Sequence, residues 1–312
     1  MNAGAGEKTA GQGRYAGLGD LLPGHRLHWQ EPMSRHTTFG IGGPADVLVV
    51  PESIPEVRTV LAWCRREDVP WVVIGAGSNL LVRDKGIRGV VIKLGAGLGR
   101  VEIRGESVWA QAGVPLAHLV RVTAAAGLSG LEFAEGIPGS LGGGLCMNAG
   151  AYGGEMAQVT QAVLSIDPDG RLCLLMAEEI GFGYRSSCFQ ENGHVVLAGH
   201  LRLRRGDARA IAARIADLAA RRGEKQPLDM PSAGSAFKRP PGGFVGPLVE
   251  QLGFKGYRIG GAQVSSKHAG FIVNAGGATA ADVIRLLEAI RAAARERLGI
   301  ALEPEIRVLG EE

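Results

Sequence analysis

The stretch GIPGSLGGGLCMNAGAYGG, residues 136–154, decides how the rest of the chain is interpreted. Eight of its residues are glycine, in a chain that has 49 glycines among 312 residues. Glycine on this scale costs backbone entropy unless the chain must adopt positive φ angles or approach a ligand closely. The stretch has no lysine, which excludes a Walker-type nucleotide loop. It therefore predicts a loop whose bare backbone touches an extended ligand.

A second glycine-rich segment, WVVIGAGSNLLV (71–82), follows a predicted strand directly. It does not match the dinucleotide-binding fingerprint, because Leu80 takes the place of the third glycine and a strand-like run follows instead of a helix. Bare amides beside a serine and an asparagine can still hold phosphate. Two such loops favour a backbone clasp around an anionic cofactor, although a tight structural turn at 75–79 remains an alternative.

Composition excludes several classes of protein. Hydrophobic residues make up 46% and charged residues 21% of the chain, as in ordinary soluble globular proteins. The net charge of +3 is too small and too dispersed to predict nucleic-acid binding. No apolar run reaches the length of a membrane span, and no signal peptide is apparent. The four cysteines have no metal-binding spacing, so we expect no metal, no membrane contact and a cytoplasmic location.

Runs rich in Val and Ile predict strands along most of the chain. These runs are ADVLVV (45–50), WVVI (71–74), GVVIKL (89–94), SVWAQA (107–112), a strand pair around the turn at 168–170, HVVLAGHLRLR (194–204), GFIVNA (270–275) and IRVL (306–309).

Helices are predicted where apolar residues recur every three or four positions. One begins at a capping box formed by Ser53 and Glu56, and another near the C-terminus begins with Thr279 and Asp282 in the same arrangement. A third covers 207–222, with arginines expected on its solvent face.

Composition changes near residue 205, which suggests a domain boundary. We expect a loose N-terminal extension over 1–25, a first domain over 26–205 and a second over 206–312.

Seven segments in this order resemble the UDP-N-acetylenolpyruvoylglucosamine reductase family. They are TTFGIGGPAD (37–46), GAGSNLLV (75–82), GIPGSLGGGLCMNAGAYGG (136–154), YRSSCF (184–189), PSAGSAFKRP (231–240), GGAQVSSKHAGFIVN (260–274) and LEPEIRVLG (302–310). The resemblance implies an α+β fold: a two-subdomain FAD-binding fold of the vanillyl-alcohol-oxidase type, followed by a C-terminal α+β substrate domain.

The resemblance implies FAD as cofactor and NADPH as co-substrate. The FAD-binding residues that it implies are Gly75, Ala76, Gly77, Ser78, Asn79, Leu80, Gly136, Pro138, Gly139, Ser140, Gly143, Asn148, Ala149, Gly150 and Tyr152.

The implied reaction reduces the enolpyruvyl ether of a UDP-sugar in peptidoglycan precursor synthesis. The resemblance assigns the proton donor to Ser235, the substrate carboxylate contact to Arg185, and a carboxylate against the enolpyruvyl group to Glu305. A carboxylate beside developing negative charge is unfavourable, so we expect Glu305 to be hydrogen-bonded or protonated.

The resemblance also implies substrate-binding lysines. Lys225 corresponds to a lysine near the UDP diphosphate, and Lys238 lies in a segment where Arg239 replaces an asparagine. No tyrosine occurs between Arg205 and Pro231, so the chain resembles the shorter type without an inserted tyrosine loop. No obligate protein partner is evident.

Two other functions stay open. One is a flavin- or nucleotide-binding module without turnover, and the other is a different oxidase on the same flavin fold. Arg185, Ser235 and Glu305 favour the reductase, because a binding module needs only the glycine loops. A covalently held flavin would need a cysteine or histidine at these loops. Cys146 is a possible attachment site, although a cysteine there can equally be a small buried apolar residue.

Overall fold

The computed structural model describes residues 13–240 and 242–312, and it has the expected α+β composition. Its α-helices are α1 Ile54–Arg66, α2 Leu116–Ala125, α3 Leu141–Cys146, α4 Ala208–Lys225, α5 Val245–Gln251 and α6 Ala280–Leu298. Among the described residues, no helix combines the length and the apolar character that crossing a bilayer requires.

Every predicted run contains a strand, and several further strands, most of them short, were not predicted. They are β1 Leu27–Pro32, β2 Pro44–Val49, β3 Trp71–Ile74, β4 Leu80–Val82, β5 Ile87–Lys93, β6 Val101–Arg104, β7 Ser107–Gln111, β8 Leu128–Ser129, β9 Gly150–Ala151, β10 Gly154–Glu155, β11 Thr160–Ile166, β12 Leu172–Met176, β13 Val195–Arg202, β14 Arg204–Arg205, β15 Ser232–Ser235, β16 Arg258–Ile259, β17 Ala262–Val264, β18 Phe271–Asn274 and β19 Arg307–Leu309.

Three sheets of four or five strands form the framework. The first has the order β1-β2-β5-β3, with β2 and β3 parallel to β5, and α1 supplies the crossover that parallel strands require. The second, β12-β11-β13-β7-β6, is antiparallel throughout and packs against α3. The third, β15-β18-β17-β16, carries α6.

The two predicted capping boxes have different outcomes. Thr279 and Asp282 form the complete reciprocal box at the start of α6, as expected. At α1, the Ser53 hydroxyl accepts a hydrogen bond from the Glu56 backbone N–H, but the Glu56 carboxylate accepts from the Glu52 backbone N–H and pairs with Arg26. Because Arg26 attracts the Glu56 carboxylate away from Ser53, the second half of that box does not form.

The C-terminal strand returns to the N-terminal part of the chain. Strand β19 lies parallel to β4, with Arg307 opposite Leu80 and Leu309 opposite Val82. The apolar core around α6 also includes Phe39 from the N-terminal part. The last residues of the chain are therefore held beside the first glycine-rich segment.

The expected boundary at residue 205 stays a prediction, and the packing favours a later one. Helix α4 contacts α2, β8 and the short 3₁₀ helix Glu132–Ala134, all of which precede residue 206. We propose that the second domain begins after α4.

The prediction that residues 1–25 are loose is wrong for the part that the structure describes; residues 1–12 lie outside the described range. Tyr15, Leu18 and Leu22 are buried in the largest apolar core, and the Tyr15 hydroxyl donates to an Asp46 carboxylate oxygen at 2.7 Å. The glycine-rich and polar composition of the extension hid three apolar residues with helix-like spacing.

Replacing Leu18 tests whether this segment is part of the folded core. Leu18 is fully buried, so Leu18→Ala should lower the free energy of unfolding by about 2–5 kcal/mol. Leu21, which is 37% exposed, gives the matched control Leu21→Ala, for which we expect a much smaller loss. Denaturant unfolding of both variants measures the difference, and equal midpoints would contradict the packed arrangement.

Candidate functional site

Both glycine-rich segments line one large cavity, together with residues from the C-terminal part of the chain. The cavity has a volume of about 1530 Å³. Pockets for a single small ligand usually measure about 300–1,000 Å³. This cavity therefore has room for a dinucleotide cofactor and a nucleotide sugar side by side.

The two glycine-rich segments approach each other closely. The Ser78 hydroxyl donates to the Pro138 carbonyl oxygen at 2.8 Å, and a Cβ atom added to Gly75 would collide with Ser140 Oγ. Gly139 has φ +139°, a conformation that residues with a Cβ rarely adopt. The missing side chains leave a backbone-lined cleft, which fits the FAD that the sequence resemblance implies.

The second segment is not wholly a loop, contrary to expectation. Residues Leu141–Cys146 form the short helix α3, which begins after Ser140. Glycines 142 and 144 are buried in this helix, and a Cβ atom on Gly142 would lie only 2.9 Å from Ala112 Cβ, too close to fit without a shift. Some glycines of this segment therefore allow the helix to pack closely, and only the others leave room for a ligand in the cavity.

Fourteen of the fifteen implied FAD-binding residues line the cavity. Asn148 does not. It is 1% exposed, its amide donates to the Gly183 carbonyl oxygen at 2.9 Å, and its side-chain oxygen accepts from the Ala157 backbone N–H. With φ +41°, Asn148 shapes the turn after α3. Its predicted contact with the cofactor is therefore not supported.

Arg185 and Glu305 form an ion pair that faces the cavity. Arg185 Nε donates to Glu305 Oε1 at 2.6 Å, although the two residues are separated by 120 positions in the chain. Arg185 has φ +54°, and its carbonyl oxygen accepts from the Gln190 amide at 3.0 Å. Strained backbone of this kind is typical of functional sites.

Backbone contacts fix Glu305 from two sides. Its N–H donates to the Ala236 carbonyl oxygen at 3.0 Å, and its carbonyl oxygen accepts from the Asn79 side-chain amide at 3.0 Å. The Arg307 N–H in turn donates to the Asn79 carbonyl oxygen. The parallel pairing of β19 with β4 therefore sets where the Glu305 carboxylate lies.

Burial raises the pKa of the Glu305 carboxyl above its ordinary value, and the positive charges of Arg185 and Lys238 oppose that rise. The carboxylate accepts a hydrogen bond from Arg185, which matches the expectation that Glu305 is hydrogen-bonded. Glu303, two residues earlier, points away and pairs with Lys238 at the surface. The choice of Glu305 over Glu303 as the cavity carboxylate agrees with this arrangement.

Ser235 lies at the end of β15 and also lines the cavity. It is close to the ion pair because residues 236–238 run antiparallel to 303–305, with Phe237 opposite Pro304. Ser235, Arg185 and Glu305 therefore come from three distant parts of the sequence and meet at one wall.

The two predicted substrate lysines differ in position. Lys225, at the last residue of α4, is exposed and lines the cavity. Lys238 does not line it; its Nζ pairs with Glu303 Oε1 at 2.5 Å. The charge of Lys238 opposes the rise that burial causes in the pKa of Glu305.

Arg222 is a cavity residue that the sequence prediction missed. We expected the arginines of α4 on the solvent side, but Arg222 is 6% exposed and lies on the cavity wall. The signal was present in the spacing, because Arg222 follows Leu218 by four residues and so continues the apolar stripe of the helix.

Cys146, the cysteine named above for covalent flavin attachment, is not activated for that reaction. Burial raises the pKa of the Cys146 thiol to about 11, which suppresses the reactive thiolate. Across residues 13–240 and 242–312, no group of three or more His, Cys, Asp or Glu side chains is arranged to hold a metal ion.

Comparisons with known proteins agree with this geometry. An FAD-binding domain family matches residues 45–175, and the UDP-N-acetylenolpyruvoylglucosamine reductase C-terminal domain matches residues 226–309. The latter match begins where α4 has ended, as the packing of α4 favours.

Several reductases are similar over nearly the whole chain. The UDP-N-acetylenolpyruvoylglucosamine reductase of Syntrophomonas wolfei is 52% identical over 96% of this chain and 100% of its own length. That of Caldanaerobacter subterraneus is 48% identical over 94% of this chain and 97% of its own. The crystal structure of the Thermus caldophilus enzyme has a TM-score of 0.79 and 39% identity, covering 90% of this chain and 98% of that one.

These identities extend over nearly the full length of the chain and of its relatives, and they therefore establish its family. It belongs to the UDP-N-acetylenolpyruvoylglucosamine reductase family.

Proposed function

We propose that the chain uses NADPH to reduce the enolpyruvyl ether of UDP-N-acetylglucosamine to UDP-N-acetylmuramate, a step of peptidoglycan precursor synthesis, with Ser235 as proton donor. The observation that carries this proposal is the convergence of Ser235 with the Arg185–Glu305 ion pair on a wall of the cavity that both glycine-rich segments line. Bound FAD would supply the hydride for this reduction, with NADPH as the source of that hydride.

Arg185 is suited to bind the carboxylate of the enolpyruvyl group. A guanidinium presents parallel N–H donors that match the two oxygens of a carboxylate. Its Nε is engaged by Glu305, and neither terminal nitrogen donates a hydrogen bond to a described residue, so both remain available to a ligand. When the hydride reaches the terminal alkene carbon, negative charge develops on the adjacent carbon and its carboxylate, and Arg185 stabilises that charge.

Ser235 Oγ then protonates the carbon that carries the ether oxygen and the carboxylate. One hydride and one proton are added, and the double bond becomes a saturated lactyl ether. Serine is a weak acid, but the enolate of a carboxylate is a strong base, so a correctly placed hydroxyl suffices. The hydrogen bond to Glu305 fixes the orientation of the Arg185 guanidinium. In turn, the Arg185 charge pairs with the buried Glu305 carboxylate, which would be unfavourable without a partner.

Lys225 is placed to meet the substrate at its charged end. It lies on the cavity wall and is exposed, so its ammonium can approach a diphosphate without first breaking an internal contact. We infer that Lys225 binds the diphosphate, and that the enzyme works in the cytoplasm, where a nucleotide sugar is available.

The alternatives receive less support. A binding module without turnover gains nothing from a strained Arg185 paired with a buried carboxylate. A different oxidase on the same flavin fold does not account for full-length reductase relatives at 52% and 48% identity.

FAD binding should depend on access to the backbone at Gly139. Gly139→Val places a branched side chain at φ +139° within the cleft, with its Cβ 3.1 Å from Ser78 Oγ. We expect most of the FAD to be lost while circular dichroism stays near that of the parent protein. Flavin released by acid, measured by absorbance, gives the content.

The matched control is Gly105→Val in the β6–β7 turn. Gly105 also has a positive φ, +64°, but no atom lies within 4 Å of its added Cβ and it does not line the cavity. The control separates backbone strain from blocked access. Equal FAD contents in the two variants would show that Gly139 serves only the turn.

Ser235→Ala should separate the two half-reactions. Reduction of FAD by NADPH needs no acid near the substrate carbon, so flavin bleaching should keep the parent rate. Reoxidation by the enolpyruvyl substrate should slow by about 10²–10⁴, the usual loss for a proton donor. Stopped-flow absorbance measures each step. Slower bleaching with unchanged reoxidation would refute the assignment of Ser235.

A further inference from the structure

Arg222 is a buried cation that forms no ion pair with any of the described residues. Its side chain is 6% exposed, and neither Nε nor Nη2 has a hydrogen-bond partner among the described residues. Nη1 makes one long hydrogen bond, at 3.4 Å, to the Gln226 side-chain oxygen. A guanidinium stays protonated in proteins, so this charge is permanent.

The surroundings of Arg222 compensate for its charge only in part. Its guanidinium carbon lies 5.7 Å from the centre of the Tyr152 ring, and a Cβ atom on Gly136 would lie 2.7 Å from Arg222 Cδ. Burial lowers the pKa of Arg222, as does the charge of Arg185, while Tyr152 and Glu135 favour the charged form. A buried charge left unpaired is strongly unfavourable, so we infer that an anion in the cavity completes the site.

The position of Arg222 distinguishes between the anions that could enter. It packs on Gly136 and Tyr152, two cavity residues of the second glycine-rich segment. It is also close enough to Arg185 for the two charges to interact, which indicates the reacting end of the cavity. Arg185 already faces the site proposed for the substrate carboxylate. Arg222 instead packs on the segment that is expected to bind FAD, so its guanidinium is positioned to contact the flavin ring.

We propose that the Arg222 guanidinium binds the isoalloxazine ring of FAD and stabilises the negative charge that the ring gains on reduction. Hydride uptake adds two electrons and one proton, so the ring gains one negative charge. A nearby cation tunes the reduction potential of a flavin through this charge. Arg222 should therefore favour reduced over oxidised FAD. This inference rests on FAD binding by the family and is independent of the roles given to Ser235 and Lys225.

The midpoint potential of bound FAD tests the proposal without the substrate. We would titrate the parent and Arg222→Gln with dithionite and a reference dye, in excess FAD. Removal of the charge should weaken binding of reduced FAD about tenfold relative to oxidised FAD, which makes the potential about 30 mV more negative for a two-electron couple. Arg222→Lys keeps the charge and should recover most of the shift.

Arg221→Gln is the matched control. Arg221 is the preceding residue of α4, but its side chain is 54% exposed and its Nε donates to Asp217 Oδ1 at 2.8 Å. Its removal changes the net charge by the same amount and should leave the potential unchanged. Equal potentials in Arg222→Gln and Arg221→Gln would overturn the proposal. If the potentials are equal and Arg222→Gln binds oxidised and reduced FAD equally more weakly than the parent, Arg222 contacts the FAD diphosphate instead. If only the KM for the UDP-sugar rises, Arg222 contacts the substrate instead.

Thermal unfolding of the FAD-free proteins gives a second test if Arg222→Gln retains too little flavin. Because Arg222 is unpaired without the cofactor, FAD-free Arg222→Gln should be at least as stable as the FAD-free parent, and only the parent should gain its full stabilisation from FAD. A lower Tm for the FAD-free variant would show that the protein itself satisfies Arg222, which contradicts the proposal.

Discussion

The ion pair between Arg185 and Glu305 is the interaction on which the site depends, and the fold fixes both partners through their backbones. Glu305 lies just before β19, which pairs with β4, so the Asn79 amide and the Ala236 carbonyl hold it from opposite sides. Arg185 is held in a left-handed conformation. As a result, Arg185 Nε and Glu305 Oε1 lie 2.6 Å apart although the two residues are 120 positions apart in the chain. Flexible side chains on an unconstrained backbone would not hold this distance.

The glycine-rich segments make a different contribution, because they remove side chains where the protein must leave room. Ser78 ties the first segment to the second through the Pro138 carbonyl oxygen, and Gly139 keeps the adjacent cleft open. The backbone of the glycine-rich segments lines one side of the cavity, and the Arg185–Glu305 ion pair lies on the other. The end of the cavity that holds the ion pair is therefore polar. Residues from all three sheets line this one cavity.

Local signals in the sequence predicted much of the fold, and long-range packing accounts for most of the errors. The strand runs and the Thr279–Asp282 box depend on neighbouring residues and were confirmed. Asn148 and Lys238 were assigned to ligands by resemblance, and those assignments stay predictions; their side chains contact distant parts of the protein that no local pattern reveals. Arg222 was missed for the opposite reason, since its charge outweighed a spacing that placed it on the buried face of α4.

A double-mutant cycle on the ion pair tests most directly whether the two charges act as one unit. The rate at which the enolpyruvyl substrate reoxidises the reduced, FAD-bound enzyme would be measured for Arg185→Gln, Glu305→Gln and the double variant. The ion pair predicts that the double variant loses less than the product of the two single losses, with a coupling of about 0.5–3 kcal/mol. Losses that simply multiply would show that Arg185 and Glu305 act independently and would contradict the account.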